Sequence, residues 1–140
     1  MLESPGPQMN PSSNRLALAF VERFGEVLPP PVTIHAVGSR LDLHADGVLL
    51  GGSDAVCILE EEDGRTLPEL AECVGHAVLG GIQDCTAEYL AAPWPTGAGG
   101  EMTLPHARAD AGRLHLWYGA SEAAAVVRLR PIELSEVADG

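Results

Sequence analysis

Apolar positions recur at helical spacing in two stretches of the chain and alternate with polar ones in the stretches between and after them. Leu16, Phe20, Phe24 and Val27 share one face over residues 14–28, with Glu22, Arg23 and Glu26 opposite, which predicts a first helix. Ser12 or Ser13 can cap its start. Pro29, Pro30 and Pro31 end it, because proline lacks the amide donor and clashes with the preceding turn. Short β-type segments follow at 32–37, 41–45, 48–50 and 55–60, separated by Gly38-Ser39, Asp46-Gly47 and Gly51-Gly52-Ser53-Asp54. Asp46-Gly47 is a strong hairpin dipeptide, since both positions accept positive φ.

The second helical stripe is longer: Leu67, Leu70, Val74, Val78, Ile82, Cys85 and Tyr89 predict a helix from 67 to about 92. Thr66 and Glu69 form a capping box and Pro68 sits in the tolerant first turn. Gly75, Gly80 and Gly81 interrupt it, each at about 1 kcal/mol relative to Ala. Close approach of another backbone to these glycines is the favoured explanation, ahead of a bend at Gly80-Gly81. Pro93-Trp94-Pro95 stops the helix, and a flexible loop over 96–100 leads to strands at 101–109 and 113–118, joined through Asp110-Ala111-Gly112. A last strand covers 123–130. The order α-β-β-β-β-α-β-β-β predicts an α+β fold: a mostly antiparallel sheet with two helices on one face. Residues 13–131 are expected to form one domain, with tails at 1–12 and 132–140.

Charge narrows the partners. Eight basic residues against 20 acidic ones give a net charge of −12, which disfavours nucleic acid and anionic membrane surfaces. No run of about 18 apolar residues occurs, so no spanning helix is expected. The first twenty residues lack a basic start followed by an apolar run, so no secretory signal is visible. Every basic residue is Arg; the missing Lys removes Schiff-base chemistry and a phosphate-loop lysine. With abundant Ala, Gly and Pro, this composition points to a GC-rich genome. Cys57, Cys73 and Cys85 are an odd set, read as reduced thiols in a cytoplasm.

Catalytic and metal signals are weak. Cys73-x-x-His76 places two ligands on neighbouring turns, but Cys73 and Cys85 are separated by roughly 18 Å on one helix, too far to share a zinc ion. Cys57 with Cys73 and His76 is the remaining combination, and no metal or cofactor is expected. Glu72 and His76 at i and i+4, with Glu69 a turn earlier, read as an exposed helix pair. His35, His44, His106 and His115 fall on strands without an H-x-H or H-E-x-x-H spacing. Val37-Gly38-Ser39-Arg40-Leu41 reads as a turn and not a nucleophile elbow. Gly51-Gly52-Ser53 lacks the lysine and helix of a phosphate cradle.

Trp94, held between two prolines, and Trp117-Tyr118 at a strand end are candidate anchors in a chain with few aromatics. The leading expectation is a cytoplasmic protein-binding module (a chaperone, adaptor or immunity-type inhibitor), homodimeric and without enzymatic activity. It would use an apolar patch formed by Trp94, Gly80, Gly81, Trp117 and Tyr118 inside an acidic rim that favours basic partners. The rival is a small-molecule or metal-binding protein with a histidine-lined pocket; a ligand-free structural subunit is the third possibility.

From Ile82-Gln83-Asp84 through Pro93-Trp94-Pro95 to Gly112-Arg113-Leu114-His115-Leu116-Trp117-Tyr118-Gly119, the chain resembles a group of small uncharacterised actinobacterial proteins. That resemblance implies a helix, a Pro-Trp-Pro stop and a strand hairpin, and carries no activity. In size, acidity and element order the chain is also similar to type III secretion chaperones, which dimerise and hold extended partner segments.

Overall fold

A computed structural model of the chain describes residues 10–60 and 64–139. Strand β1 (Asn10–Pro11) precedes helix α1 (Ser13–Gly25), whose start is capped by the Ser12 side chain accepting from the Arg15 N–H. Strands β2 (Thr33–Val37), β3 (Arg40–Ala45) and β4 (Val48–Ser53) form an antiparallel sheet in sequence order. Helix α2 (Leu67–Leu90) carries the predicted capping box and ends at Ala91 in the left-handed conformation. Strands β5 (Pro105–Asp110), β6 (Arg113–Gly119) and β7 (Ala125–Arg128) make a second antiparallel sheet, and β8 (Ile132–Glu133) also pairs with β6. Strand β9 (Ala138–Asp139) pairs with β1 and brings the two ends of the described chain together.

The fold is α+β with antiparallel sheets and broadly the predicted element order; the short strands β1, β8 and β9 are additional, and one predicted strand is replaced. Ala55–Glu60 is a 3-10 helix instead of a fourth strand. Its apolar run buries Val56 and Leu59 at a helical interval of three while Cys57 faces out, and a run this short looks the same by periodicity in either state. Instead of the single sheet expected, the strands form two main sheets and the separate β1–β9 pair, with α2 touching β4 of the first main sheet and β5 and β6 of the second.

One apolar cluster joins everything. Leu16, Phe20 and Phe24 of α1, Leu41 and Leu43 of β3, Val74, Val78 and Ile82 of α2, and Leu114, Leu116 and Tyr118 of β6 are all fully buried within it. Alternation along β6 sends Leu114, Leu116 and Tyr118 inward and His115 and Trp117 to the opposite face. The outer edge of β5 is closed by α2, because Glu72 Oε2 accepts the Ala109 N–H at 2.6 Å.

Further expectations also change. Residues 132–139 are not a tail: Ile132, Leu134 and Val137 are buried in the core. Arg23 does not lie on a solvated face, being 2% exposed beneath the segment that follows β7. Its guanidinium donates to the carbonyls of Arg130 and Pro131 at 3.3 and 2.9 Å and to Glu136 at 2.8 Å, and it also pairs with Glu22. Of the expected tail over 1–12, Asn10–Pro11 is strand β1 and Ser12 caps α1, so these residues are part of the fold, while residues 1–9 lie outside the described residues.

Candidate functional site

Strand β4 begins with three apolar residues in a row, Val48-Leu49-Leu50, directly after the Asp46-Gly47 turn. A pleated strand cannot bury consecutive side chains against one core. Val48 and Leu49 are 60% and 58% exposed, so neither face of the strand is covered here. Beside them is the C-terminal end of α2, with Tyr89 and Leu90 also exposed and the Tyr89 hydroxyl 3.5 Å from Asp46. A shallow groove of about 480 Å³ continues from Leu49 along Gly51, Gly52, Ser53 and Asp54, with Arg40 and Asp42 on its far wall.

Carboxylates surround this surface. Asp46 and Asp54 lie on the turns at either end of β4, and Asp84 and Glu88 are exposed on α2. Arg40 is neutralised by Asp42 through two bonds of 2.9 and 3.1 Å, and this pairing lowers the Asp42 pKa. Cys85 faces the backbone of β4 from α2; burial raises its pKa, opposed by the Gly52 backbone and assisted by Glu88 and Asp84. A thiol held protonated in this way is inert.

The expected contact residues do not form one surface. Gly81 faces β4, with Ser53 Cβ 3.5 Å from where its own Cβ would lie, whereas nothing comes within 4 Å of Gly80. Of Gly75, Gly80 and Gly81, for which a close approach is expected, Gly75 has the tightest, and from side chains rather than backbone: its added Cβ would meet Leu116 Cδ2 at 2.8 Å and Ala107 Cβ at 3.0 Å. Tyr118 is fully buried and donates to the Leu79 carbonyl at 2.6 Å. Trp94 is half-buried and lies edge-on to Tyr118 with ring centroids 5.6 Å apart. Trp117 is 8% exposed on the far face of β6.

The segment around Trp94 is a structural bracket. The buried Gln83 amide donates to the Thr103 carbonyl at 2.5 Å, and the Thr103 hydroxyl donates to the Pro95 carbonyl at 3.1 Å. The predicted flexible loop at 96–100 is a tight turn closed by a Thr96–Met102 bridge. Gly97 leaves room for the Glu101 carboxylate, which a Cβ there would strike. The motif residues Gln83 and Pro93-Trp94-Pro95 thus anchor the end of α2 to the strand that follows.

The histidines separate into two groups. His35 and His44 pack edge-to-face at 5.2 Å on the first sheet, near Asp42. His106 stacks on Trp117 at 5.4 Å and meets His76 at 6.3 Å on the second. His115 bonds through Nδ1 to Glu122 at 2.8 Å, and Glu122 also accepts from Arg108 at 3.0 Å. Burial works against the ionised form of Glu122, yet Arg108 and His115 hold its pKa below the ordinary value. Among the described residues, no group of three or more His, Cys, Asp or Glu side chains is placed to hold a metal ion. No described helix is long and apolar enough to cross a membrane.

Sequence reasoning missed Val48, Leu49 and Glu122. The unbroken Val-Leu-Leu run was a usable signal for the first two, since an edge strand with three consecutive apolar residues must expose some of them. Nothing in the Ala-Ser-Glu-Ala-Ala stretch marked Glu122. No family model, curated protein or solved structure matches the chain.

Proposed function

We propose that the chain is a protein-binding module whose contact surface is the apolar end of β4 and α2: Val48, Leu49, Tyr89 and Leu90 within a rim of Asp46, Asp54, Asp84 and Glu88. The observation that carries this reading is the exposure of Val48 and Leu49, adjacent residues of an edge strand, beside a groove. Two aliphatic side chains left in water on a strand end invite a partner surface. The rim and the net charge of −12 favour a basic partner and speed its encounter. An isologous dimer through this same patch would bring the carboxylates of both copies together, so a homodimer fits better through another face. Free Cys57 and Cys73, both exposed, fit a reducing compartment and a cytoplasmic role.

The test compares two exposed leucines. Leu49→Asp places a charge at the proposed contact, and Leu18→Asp does the same on α1, where Leu18 is 61% exposed. A basic partner captured by the wild type is expected to be lost by Leu49→Asp and retained by Leu18→Asp, with both variants folded by circular dichroism. Retention by Leu49→Asp overturns the assignment.

A further inference from the structure

Trp117 lies on the side of β6 that faces away from the core, yet it is 8% exposed. One ring is seen to cover it, and the path of a neighbouring connection implies a second cover. His106, its partner in register on β5, stacks against it with the rings 24° from parallel. The other is the connection between β6 and β7. Gly119 pairs with Ala125, so residues 120–124 leave the sheet at the end of β6. His115 is four residues back from Gly119, about 13 Å at strand rise. Glu122 nevertheless touches His115 at 2.8 Å and Arg108 at 3.0 Å. The connection must therefore fold back along this face, and Trp117 is the residue lying between its two ends.

Donors predominate under and beside this strap. The Trp117 Nε1–H is shielded from water and has no hydrogen-bond acceptor. Arg128, which pairs with Trp117 across β7, is exposed and has no ion-pair partner among the described residues. Arg108 and His115 already hold a carboxylate, that of Glu122. Arg113 is satisfied by Glu133 at 2.5 Å, and Asp110 sits 3.8 Å from Arg108. Next to His106 a small groove of about 150 Å³, walled partly by Leu104 and Gly119, is open to an apolar side chain.

We propose that this face of the second sheet is a docking site for an acidic segment of another protein, and that Glu122 is its built-in occupant. Arg108 and His115 take one carboxylate of the segment, Arg128 takes a second, and an apolar residue between them enters the groove beside His106. An intramolecular carboxylate competes at an effective concentration in the millimolar range, so a single external carboxylate does not displace it and a multivalent acidic segment does. Displacement releases the strap and uncovers Trp117. This surface is distinct from the β4–α2 patch, and Leu49→Asp leaves it intact.

The probe is a fluorescein-labelled peptide of four glutamates around one leucine, at about 0.15 M salt to damp repulsion by the rest of the protein. Glu122→Gln, which keeps the side-chain shape and removes the charge, is expected to bind it about tenfold more tightly than wild type. Adding Arg128→Gln to Glu122→Gln is expected to abolish that gain. In a Trp94→Phe background, where Trp117 is the remaining tryptophan, Glu122→Gln is expected to raise acrylamide quenching. The peptide titration does not depend on that background, so it stands if Trp94→Phe disturbs folding. Equal affinity of Glu122→Gln and wild type overturns the proposal. So does equal binding of a four-lysine control peptide, or unchanged quenching of Trp117.

Discussion

At Gly75 an added methyl group would lie 2.8 Å from Leu116 Cδ2 and 3.0 Å from Ala107 Cβ; at Gly80, on the same helix, nothing comes within 4 Å. One residue type serves two purposes within two turns. The first half of α2 is fastened from several sides, by the capping box at Thr66, by Glu72 on the edge of β5, and by Gly75 under the second sheet. The last turn ends with Tyr89 and Leu90 exposed and with the uncovered tip of β4 alongside. The second half is held on its inner face too, by the Gln83 bond to Thr103 and by buried Ile82 and Thr86, so only its outer side at the last turn is open. The open end leaves apolar surface that nothing in the described chain covers, and this is where a partner surface is proposed.

Three substitutions test that difference. Gly75→Leu is expected to be the most damaging, destabilising by about 3 kcal/mol, because Leu116 and Ala107 cannot withdraw without disturbing β5 and β6. Chemical denaturation measures it; a loss under about 0.5 kcal/mol would mean that the contact is slack.

Tyr118→Phe removes the hydroxyl that donates to Leu79 and is expected to lower stability at neutral pH by about 1 kcal/mol. Burial raises the Tyr118 phenol well above its ordinary value of 10.0, so the folded state binds this proton more tightly than the unfolded state does. The corresponding stability is complete below pH 10.0 and is lost as pH rises toward the folded value. Melting curves above pH 10.0 should therefore fall more steeply for wild type than for Tyr118→Phe. Cys85, raised from 9.0, contributes in the same direction in both proteins.

Gly80→Ala is expected to have the smallest effect and the opposite sign. It should stabilise by up to about 1 kcal/mol, since the helix gains a better former and the methyl meets no atom. A destabilised Gly80→Ala would place an unseen neighbour beside the middle of α2.

Much of this division was legible in the sequence. The apolar stripe, the capping box and the Pro-Trp-Pro stop placed α2 within two residues of its observed end, because each is a local signal. The hairpins at Asp46-Gly47 and at Ala111-Gly112 followed from turn chemistry, and Asp46, Gly47, Ala111 and Gly112 all have positive φ. Which glycine is squeezed was not legible, because it depends on where β5 and β6 cross the helix. For the same reason Arg23 reads as a surface residue until the segment that follows β7 folds over it. Ala55–Glu60 was ambiguous because six mostly apolar residues fit a strand and a 3-10 helix equally. The pairing of Trp94 with Tyr118, and the burial of Trp117 on the outer face, arise from contacts between distant parts of the chain that periodicity does not encode.

Native mass spectrometry of the chain isolated gently from its host tests the binding-module reading most directly. The reading predicts a mass above 14.6 kDa by that of a basic polypeptide, with no metal or small-molecule increment. A monomer carrying only a metal or small-molecule mass would contradict it and direct attention to the histidines of the two sheets.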